Sequence, residues 1–355
     1  VMALGELMAT RIGAEFLRSN GLSTQWLDAR DVLTSVSTGG GQRRQDYLAA
    51  ICDNDPDPEL EAKLDESADV VLTQGFIARN EWGETVLLGR GGSDTSAAYF
   101  AARLQAQRLE IWTDVPGMFT ADPRVVPSAR LLLSLQYDEA QELASAGSSV
   151  LHPRCISPLR RHGIPLFIRC TTAPESAGTV IASVTDETEP QVKGICLRNG
   201  ITLISMDGVG MWHEVGFLAR AFAVFGEHGV SVDLISTSET NVTVSVDTSS
   251  GMLAEDAERG LLADLERLCR VRSIRDCSAI SLVGGKIRTI LPRLAPALEV
   301  FEEEKIHLMS QAANDLNLSF VVNQGQGPRL VRKLHASIVG KSAGSPAFGR
   351  SWEQL

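Results

Sequence analysis

Hydrophobic positions recur with two different periods along the chain, and they predict alternating helices and strands. Residues 1–20 place their apolar side chains on one helical face and end at Asn20-Gly21, which predicts a helix. Further helices are predicted at 96–106 and at about 137–146, and buried strands at 69–76, 85–88, 109–113 and 164–169. The strand–loop–helix–strand order predicts that strands 85–88 and 109–113 pair in parallel within an α/β sheet. Ligands of such sheets lie beyond the carboxyl ends of the strands.

The second half of the chain contains an internal repeat. A polar, proline-ended linker is predicted at Asp186-Glu-Thr-Glu-Pro190, and after it residues 232–246 align without gaps to residues 306–320. Each copy follows an amphipathic helix, whose apolar face in the first copy carries Leu218, Ala221, Phe222 and Phe225. The pattern predicts two strand–helix–strand–strand modules in tandem. Repetition indicates a paired architecture, not a function.

Composition excludes several classes of protein. A chain of 355 residues suits two or three domains. Its net charge of -11 argues against nucleic acid or an anionic membrane as the main partner. The six cysteines are scattered without a C-x-x-C pair, which favours free thiols in a reducing cytoplasm over disulfides or a zinc site. No apolar run approaches the roughly 20 residues of a membrane span. We therefore expect a cytoplasmic protein with no membrane partner.

A glycine-rich turn, Gly89-Arg-Gly-Gly-Ser-Asp94, lies between a predicted strand and a predicted helix. It could be only a tight turn with Asp94 as the helix N-cap. Arg90 favours a second interpretation, because a guanidinium in such a turn binds a carboxylate or a phosphate with two hydrogen bonds. The chain lacks both the G-x-x-x-x-G-K-[ST] motif and a G-x-G-x-x-G motif after a strand. A P-loop NTPase and a nicotinamide-dependent enzyme are therefore disfavoured.

A second element follows the next predicted strand, as Thr113-Asp-Val-Pro-Gly117 and Thr120-Ala-Asp-Pro-Arg124. Each tetrapeptide alone is ordinary turn chemistry. Their place after a strand–helix–strand unit, with Arg124 available for phosphate charge, strengthens the case for function. Together with the glycine-rich turn they predict a phosphoryl-transfer site.

These segments resemble the signatures of one family, the aspartate kinases. Further signatures are Glu6 in Gly-Glu-Leu-Met, Phe76 in Gln-Gly-Phe-Ile, and Gly147-Ser-Ser-Val-Leu-His-Pro153, so the resemblance covers nearly the whole chain in order. It implies an α/β fold, in which a carbamate-kinase-like α/β/α sandwich of the amino-acid-kinase type precedes two ACT (βαββαβ) modules. The implied bounds are 1–185 for the kinase domain, 200–276 for the first module, 192–199 plus 277–339 for the second, and 340–355 for a linker or tail.

The resemblance also implies the reaction and its residues. The implied reaction transfers a phosphoryl group from MgATP to the side-chain carboxylate of L-aspartate, the first step of lysine, threonine and methionine biosynthesis. Arg90 and Asp94 would be the catalytic pair. The aspartate side would comprise Glu6, Phe76, Arg90, Ser93 and Asp94, and the ATP side Thr113, Asp114, Phe119, Asp122 and Arg124. The sequence departs from the family at Ser148, where a lysine is usual, and at Phe119, where a tyrosine is common. His152 is interpreted as structural.

The two modules resemble the lysine-inhibited branch of the family. The effector site implied by that resemblance comprises Met211, Glu214, Phe217, Leu218, Val232, Asp233, Thr237 and Ser238, with Asp233 at the effector's α-amino group. Glu214 departs from the small polar residue expected there, which leaves threonine open as the effector beside L-lysine. For Phe217, Leu218 and Val232, simple packing of the module is an equal alternative. A homo-oligomer formed through the ACT modules is also implied.

Three further expectations concern the ends of the chain and the rival functions. The family begins with a strand carrying Lys-Phe-Gly-Gly-Thr-Ser, and nothing similar precedes Glu6. We therefore expect an amino-terminally incomplete chain that is inactive alone, with a regulatory amino-acid-binding subunit as the alternative function. Residues 340–355 resemble the junction of fused aspartate kinase–diaminopimelate decarboxylases. Other amino-acid kinases, of the glutamate or carbamate type, are disfavoured because they carry no tandem ACT pair.

Overall fold

The computed structural model describes residues 1–36, 43–64, 67–183, 189–208, 215–248, 255–340 and 345–355. The chain divides into two compact units. Unit 1 comprises Val1–Met118 with Leu132–Glu187, and unit 2 comprises Phe119–Leu131 with Thr188–Leu355. The segment Phe119–Leu131 therefore groups with the second half of the chain, although the sequence suggests one uninterrupted domain up to residue 185. Each unit is described by itself below.

Unit 1 alternates helices with short strands. Its elements in chain order are α1 (Met2–Ser19), β1 (Thr24–Leu27), β2 (Ser35–Val36), α2 (Arg43–Leu48), β3 (Ile51–Cys52), α3 (Pro58–Glu61), β4 (Val70–Thr73), β5 (Ile77–Arg79), β6 (Thr85–Leu87), α4 (Gly92–Arg103), β7 (Leu109–Thr113), β8 (Arg130–Leu132, which begins in unit 2), β9 (Ser134–Gln136), α5 (Tyr137–Ser145), α6 (Ile156–His162), β10 (Leu166–Cys170) and β11 (Thr179–Ala182). The helices predicted at 1–20 and at about 137–146 are confirmed.

The largest sheet of unit 1 has the strand order β7-β10-β11-β9. Strands β7 and β10 run in parallel, with Ile111 opposite Ile168, and β11 is antiparallel to β10. The prediction that strand 85–88 pairs in parallel with strand 109–113 is wrong, because β6 pairs antiparallel with β5. Only a short turn through Gly83 separates β5 from β6, so the two form a local hairpin. The chain between β7 and β10 includes α5 and α6 and is long enough for a parallel crossover.

Helix α4 begins earlier than predicted. It starts at Gly92, and its N-cap is Gly91 in the left-handed conformation, with φ 66° and ψ 23°. Asp94 lies inside the first turn, so the prediction that it is the N-cap is wrong. A carboxylate in the first helical turn is still favoured, because it faces the positive end of the helix dipole.

Unit 2 contains one six-stranded antiparallel sheet, with the strand order β13-β14-β12-β15-β17-β16. Its elements are β12 (Gln191–Asp207), α7 (Phe217–Glu227), β13 (Ile235–Thr237), β14 (Asn241–Asp247), α8 (Glu255–Glu266), β15 (Arg270–Gly285), α9 (Ile287–Leu298), β16 (Leu308–Ser310), β17 (Asn317–Asn323), α10 (Gly327–Ile338) and β18 (Phe348–Ser351). The hairpins β13–β14 and β16–β17 occupy equivalent places at the two ends, as the repeat predicts.

Strands β12 and β15 run through both halves of this sheet. The first part of β12, Gln191–Asn199, pairs with Ser278–Gly285, and its second part, Ile201–Asp207, pairs with Arg270–Cys277. Residues 192–199, which the family resemblance groups with 277–339, therefore lie in a strand that pairs with residues 278–284. One continuous pair of strands joins the two repeat copies into a single sheet.

The carboxyl-terminal residues differ from the linker predicted from their composition. Strand β18 pairs with β8, and a 3-10 turn follows over Trp352–Gln354. Ala347 and Phe348 are buried, which gives the segment an apolar anchor that a linker lacks. Among the helices of the described residues, none combines the length and the apolar character needed to cross a bilayer.

Candidate active site

The glycine-rich turn of unit 1 joins β6 to α4. Gly89 and Gly91 adopt positive φ angles of 77° and 66°, and the turn closes with the Gly92 amide donating to the Gly89 carbonyl at 3.0 Å. Arg90, between them, is exposed. The backbone of this turn therefore lies close to its neighbours, while its one cationic side chain is free to reach a ligand.

A second turn, Gln74-Gly75-Phe76, packs directly on the first. A Cβ added at Gly75 would lie 3.0 Å from the Ser93 Oγ, and the Phe76 amide donates to the Ser96 Oγ at 2.7 Å. Phe76 has a φ of 70°, which is unusual for a bulky residue and costs backbone strain. The structure thus places the turn that carries Phe76 against the first turns of α4, which carry Ser93.

Glu6 approaches the same region on helix α1. Its carbonyl accepts a hydrogen bond from the Thr10 Oγ1 at 2.9 Å, and the Gln74 Nε2 donates to that hydroxyl at 2.8 Å. Leu7, the next residue of the helix, packs against the same small apolar cluster as Phe76. The first turns of α1 therefore lie beside the Gly75–Phe76 turn.

Asp94 and His152 form the other wall of the glycine-rich turn. The His152 amide donates to the Asp94 Oδ2 at 3.4 Å, and a Cβ added at Gly91 would lie 2.2 Å from the His152 Cγ. Burial raises the pKa of Asp94, although the His152 amide opposes the shift. Burial lowers the pKa of His152, and the nearby Arg154 lowers it further, whereas Asp94 raises it. A neutral imidazole therefore packs against the turn.

Arg154 is a residue of this site that the sequence analysis missed. Its Nη1 donates to the Leu88 carbonyl at 2.7 Å, and its Nη2 donates to the Ala50 carbonyl at 3.0 Å. Leu88 immediately precedes Gly89, so this guanidinium holds the point at which the chain enters the turn. The only signal in the sequence was its place directly after the His-Pro pair of a family signature.

Two residues predicted for the ATP side lie in unit 1, at the carboxyl end of β7. The Thr113 Oγ1 donates to the Asp114 Oδ1 at 3.1 Å, and Asp114 is exposed. The amide and the hydroxyl of Thr171, which follows β10, both donate to the Thr113 carbonyl, at 2.8 and 3.0 Å. The loops after two parallel neighbours are thus joined at the sheet edge where α/β folds bind ligands.

The other three residues predicted for the ATP side lie in unit 2. The Asp122 carboxylate accepts three hydrogen bonds from Arg124: one from its backbone amide at 2.9 Å, one from its Nε at 3.1 Å and one from its Nη2 at 2.9 Å. Partial burial works against the charged carboxylate, but the hydrogen bonds from Arg124 prevail and lower the pKa of Asp122. Arg124 keeps 82% of its side chain exposed. The Phe119 ring meets Trp352 edge-on, with 5.4 Å between centroids.

Six of the eight residues predicted for the effector site are described, and they lie on α7, between α7 and β13, and at or just after the end of β13. Phe217 is buried, Leu218 is exposed, and Val232 is half-buried against the α7 core. The Asp233 Oδ2 forms an ion pair with the Arg198 Nη2 at 2.9 Å. Burial raises the pKa of Asp233, while Arg198 opposes the shift. Thr237 and Ser238 end β13, where the Ser238 amide donates to the Asn241 carbonyl at 2.8 Å. Met211 and Glu214 lie outside the described residues.

The residues present fit a magnesium ion that is carried by phosphates. Within the described ranges, no group of three or more His, Cys, Asp or Glu side chains is arranged to hold a metal ion. Mg²⁺ commonly keeps several waters and binds through one or two carboxylates plus substrate phosphates. Asp114 of unit 1 is an exposed carboxylate of that kind, whereas the Asp122 carboxylate of unit 2 already accepts hydrogen bonds from Arg124.

Known proteins resemble this chain over most of its length. A model of the amino acid kinase family matches residues 1–170, and a model of the ACT domain matches residues 204–257. Lysine-sensitive aspartokinase 3 of Escherichia coli (strain K12) is 36% identical over 336 residues, which are 94% of this chain and 74% of that protein. The chloroplastic aspartokinase 1 of Arabidopsis thaliana is 30% identical over 346 residues, 95% of this chain and 60% of that protein.

Solved structures also resemble this chain over most of its length. The crystal structure of E. coli aspartokinase III in complex with aspartate and ADP (R-state) matches with a TM-score of 0.81 at 34% identity. The complex of that enzyme with lysine and aspartate (T-state) matches with a TM-score of 0.75. Each match covers 94% of this chain and 74% of the other. The chain thus spans about three quarters of the E. coli enzyme and 60% of the Arabidopsis relative.

Proposed function

We propose a function for this chain from one established premise: it belongs to the aspartokinase family. The proposed reaction transfers the terminal phosphoryl group of MgATP to the side-chain carboxylate of L-aspartate, giving 4-phospho-L-aspartate and ADP. A carboxylate oxygen forms the new bond to phosphorus, and the bond from phosphorus to the oxygen bridging to ADP breaks. The aspartate carboxyl has an ordinary pKa of about 3.9 and is already ionised near neutral pH, so no general base is required.

The observation that carries this proposal is the packing of three predicted aspartate-side segments. Ser93 packs against Gly75, and the neighbouring Phe76 amide donates to the Ser96 Oγ. Asp94 shares the glycine-rich segment with the exposed Arg90. We assign Arg90 to the substrate carboxylates, because a guanidinium offers two parallel donors to such a group. The Asp94 carboxylate can accept hydrogen bonds from the ammonium group of the substrate, and Glu6 provides a second anionic group on α1.

The nucleotide side is assigned to Thr113, Asp114, Phe119, Asp122 and Arg124. Two anions must approach each other in this reaction, so catalysis depends on positioning and on positive charge. The exposed guanidinium of Arg124, already oriented by Asp122, can supply part of that charge. Magnesium bound to the phosphates would supply more. Arg90 offsets the charge on the aspartate side.

Regulation is assigned to unit 2, in which an ACT domain model matches residues 204–257. We propose two ACT modules with the bounds stated above, and L-lysine as the effector that meets Asp233 through its α-amino group. The structure adds a condition, because Asp233 is already paired with Arg198. An incoming ammonium group therefore competes with a guanidinium for the same carboxylate.

We also propose that the ACT modules form a homo-oligomer. The support is an exposed apolar surface near the start of α7, where Val215 is fully exposed and Leu218 is 44% exposed. Large apolar side chains that are exposed together mark interaction surfaces. Light scattering on the chain with Val215→Asp and Leu218→Asp tests the proposal. A smaller particle is expected, and an unchanged mass would contradict it.

Calorimetry with L-aspartate, L-lysine and MgADP tests the enzymatic function. Arg90→Ala is expected to weaken aspartate binding roughly tenfold or more, since charge-assisted hydrogen bonds contribute about 1.5–3 kcal/mol. Arg108→Ala is the matched control, because Arg108 immediately precedes β7 and so lies at the amino end of that strand, opposite the ligand edge. Unchanged aspartate affinity in Arg90→Ala would remove that residue from the site. Lysine binding without binding of nucleotide or aspartate would favour the regulatory subunit.

A further inference from the structure

The loop that carries Asp122 and Arg124 is built into the core of unit 2. Three of its apolar residues, Ala121, Val126 and Ala129, are buried in one cluster with residues of β12, β15, β17, α9 and α10. Its backbone is tied to the same sheet, where the Ile195 amide of β12 donates to the Thr120 carbonyl at 2.8 Å. The shape of this loop therefore depends on elements that lie far away in the chain.

A buried polar contact fixes the first half of the loop. The Thr120 hydroxyl accepts the Arg130 amide at 2.9 Å, which leaves its own proton for the His335 Nε2 at 2.8 Å. Thr120 is fully buried and His335 is 4% exposed. Burial lowers the pKa of His335 to about 4, so the imidazole is neutral near neutral pH and can accept that proton. This contact lies two residues before Asp122.

The carboxyl-terminal segment fixes the other half of the loop. The Trp352 amide donates to the Ala129 carbonyl at 2.8 Å. The Arg130 Nε and Nη2 donate to the carbonyls of Gly349 and Phe348, at 2.9 and 2.8 Å. Trp352 also packs edge-on against Phe119 at the start of the loop. Both ends of the loop are thus held, while its Asp122–Arg124 tip remains exposed.

A fixed base under an exposed charged tip is a preorganised arrangement for binding an anion. We propose that His335 and the segment Phe348–Gln354 are positioning elements, which hold Asp122 and Arg124 in the geometry that binds the nucleotide phosphates. The inference rests on the proposed function, since it assigns a role to the loop that function places on the nucleotide side. It makes nucleotide affinity depend on helix α10 and on the carboxyl-terminal strand β18.

The test compares four single variants of the full chain. His335→Leu removes the acceptor of the Thr120 proton, and His335→Gln retains a polar group of similar reach. Trp352→Ala removes the indole ring that packs edge-on against Phe119. Ser319→Ala is the matched control, because it deletes another buried hydroxyl contact of unit 2, the 2.8 Å bond to Ser281. Two quantities are measured: amide hydrogen exchange over Phe119–Leu131 by mass spectrometry, and the affinity for MgADP by calorimetry.

His335→Leu and Trp352→Ala are expected to lose exchange protection over the loop and to bind MgADP about tenfold more weakly. His335→Gln should recover part of both quantities, and Ser319→Ala should change neither. Trp352 is 41% exposed, so its removal tests the inference even where His335→Leu unfolds the core of unit 2.

Two other outcomes separate the inference from the proposed function. Loss of loop protection in Trp352→Ala with unchanged MgADP affinity would overturn the positioning role and leave the kinase function standing. A wild-type chain that keeps the loop protected but does not bind MgADP would overturn the nucleotide role of the loop, and the inference with it.

Discussion

Among substitutions in unit 1, Gly91→Ala has the most specific predicted effect on stability. Gly91 is the N-cap of α4 and adopts φ 66°, a conformation that L residues other than glycine rarely take. A Cβ at this position would lie 2.2, 2.3 and 2.6 Å from the Cγ, Cβ and Cδ2 of His152. Alanine therefore introduces two separate costs, one in the backbone and one against the imidazole.

The two costs can be sized separately. The left-handed conformation costs an alanine about 1–2 kcal/mol. A contact at 2.2 Å with this half-buried side chain forces movement, and overpacking of this kind costs about 1–3 kcal/mol. We expect Gly91→Ala to lower the free energy of unfolding of unit 1 by about 2–5 kcal/mol. Displacement of His152 would also disturb its amide contact with Asp94, so aspartate binding should weaken as well.

The assay is urea unfolding of matched variants, with aspartate calorimetry in parallel. Gly163→Ala is the control, because Gly163 lies in the same unit at φ 67° and a Cβ there meets nothing within 4 Å. It should cost only the backbone share, about 1–2 kcal/mol, and leave aspartate affinity unchanged. His152→Gly removes the Cβ and the ring that a Gly91 Cβ would meet, and with the double variant Gly91→Ala/His152→Gly it completes a thermodynamic cycle. In the His152→Gly background, Gly91→Ala should cost no more than Gly163→Ala does.

The cycle also states the result that would refute this reasoning. A steric conflict with His152 predicts a coupling energy of about 1–3 kcal/mol between the two sites. If Gly91→Ala costs the same free energy in both backgrounds, the His152 side chain is not the obstacle. If it costs no more than Gly163→Ala, the turn tolerates a side chain, and the close packing described here is not what holds the glycine-rich turn in shape.

Three further expectations concern single side chains. Arg154→Met removes both donors at the entry to the glycine-rich turn, so it should weaken aspartate binding in calorimetry, whereas Arg108→Met should not. Burial lowers the pKa of His335 from 6.5 to about 4, so the unfolded chain takes up a proton at a higher pH than the folded chain. Unit 2 should therefore lose on the order of 3 kcal/mol of stability as the pH falls from about 6.5 to about 4. Urea unfolding over that range checks it: His335→Gln should remove this part of the slope, and an identical slope would contradict the assignment. Arg198→Gln frees Asp233 and should tighten lysine binding in calorimetry, while weaker binding would show that the guanidinium does not compete with the effector.

Local patterns in the sequence were sufficient for much of the fold. The helix at Met2–Ser19 and the helix at Tyr137–Ser145 follow from periodicity over two or more turns, which is a local property. The repeat predicted equivalent hairpins, and these lie at the two ends of one sheet. The pairing partners of the strands were harder to predict from the sequence. A three-residue strand such as β6 carries almost no information on its partner, and its short connection to β5 decided the pairing.

Site residues were predictable to the extent that their chemistry appears in a motif. Arg90 is a candidate from the sequence alone, because a cation in a glycine-rich turn contributes little to folding. Arg154 was missed, because its guanidinium donates hydrogen bonds to the backbone carbonyls of Leu88 and Ala50. A backbone carbonyl can belong to any residue type, so such a contact cannot be recognised from the sequence. The strain at Phe76 was equally invisible, since a φ of 70° is imposed by packing around the turn.

The grouping of Phe119–Leu131 with unit 2 shows where local reasoning ends. The segment Thr120–Arg124 was predicted to form a turn, and it includes the charged pair Asp122 and Arg124. What holds them is non-local: a histidine more than two hundred positions away in the chain, at 2.8 Å from the Thr120 hydroxyl, and a carboxyl-terminal strand whose composition suggested a linker. Contacts of this kind join residues that are far apart in the chain, so the geometry of the loop depends on α10 and β18. A change in the packing of unit 2 can therefore alter the position of Arg124 without changing any residue of the loop itself.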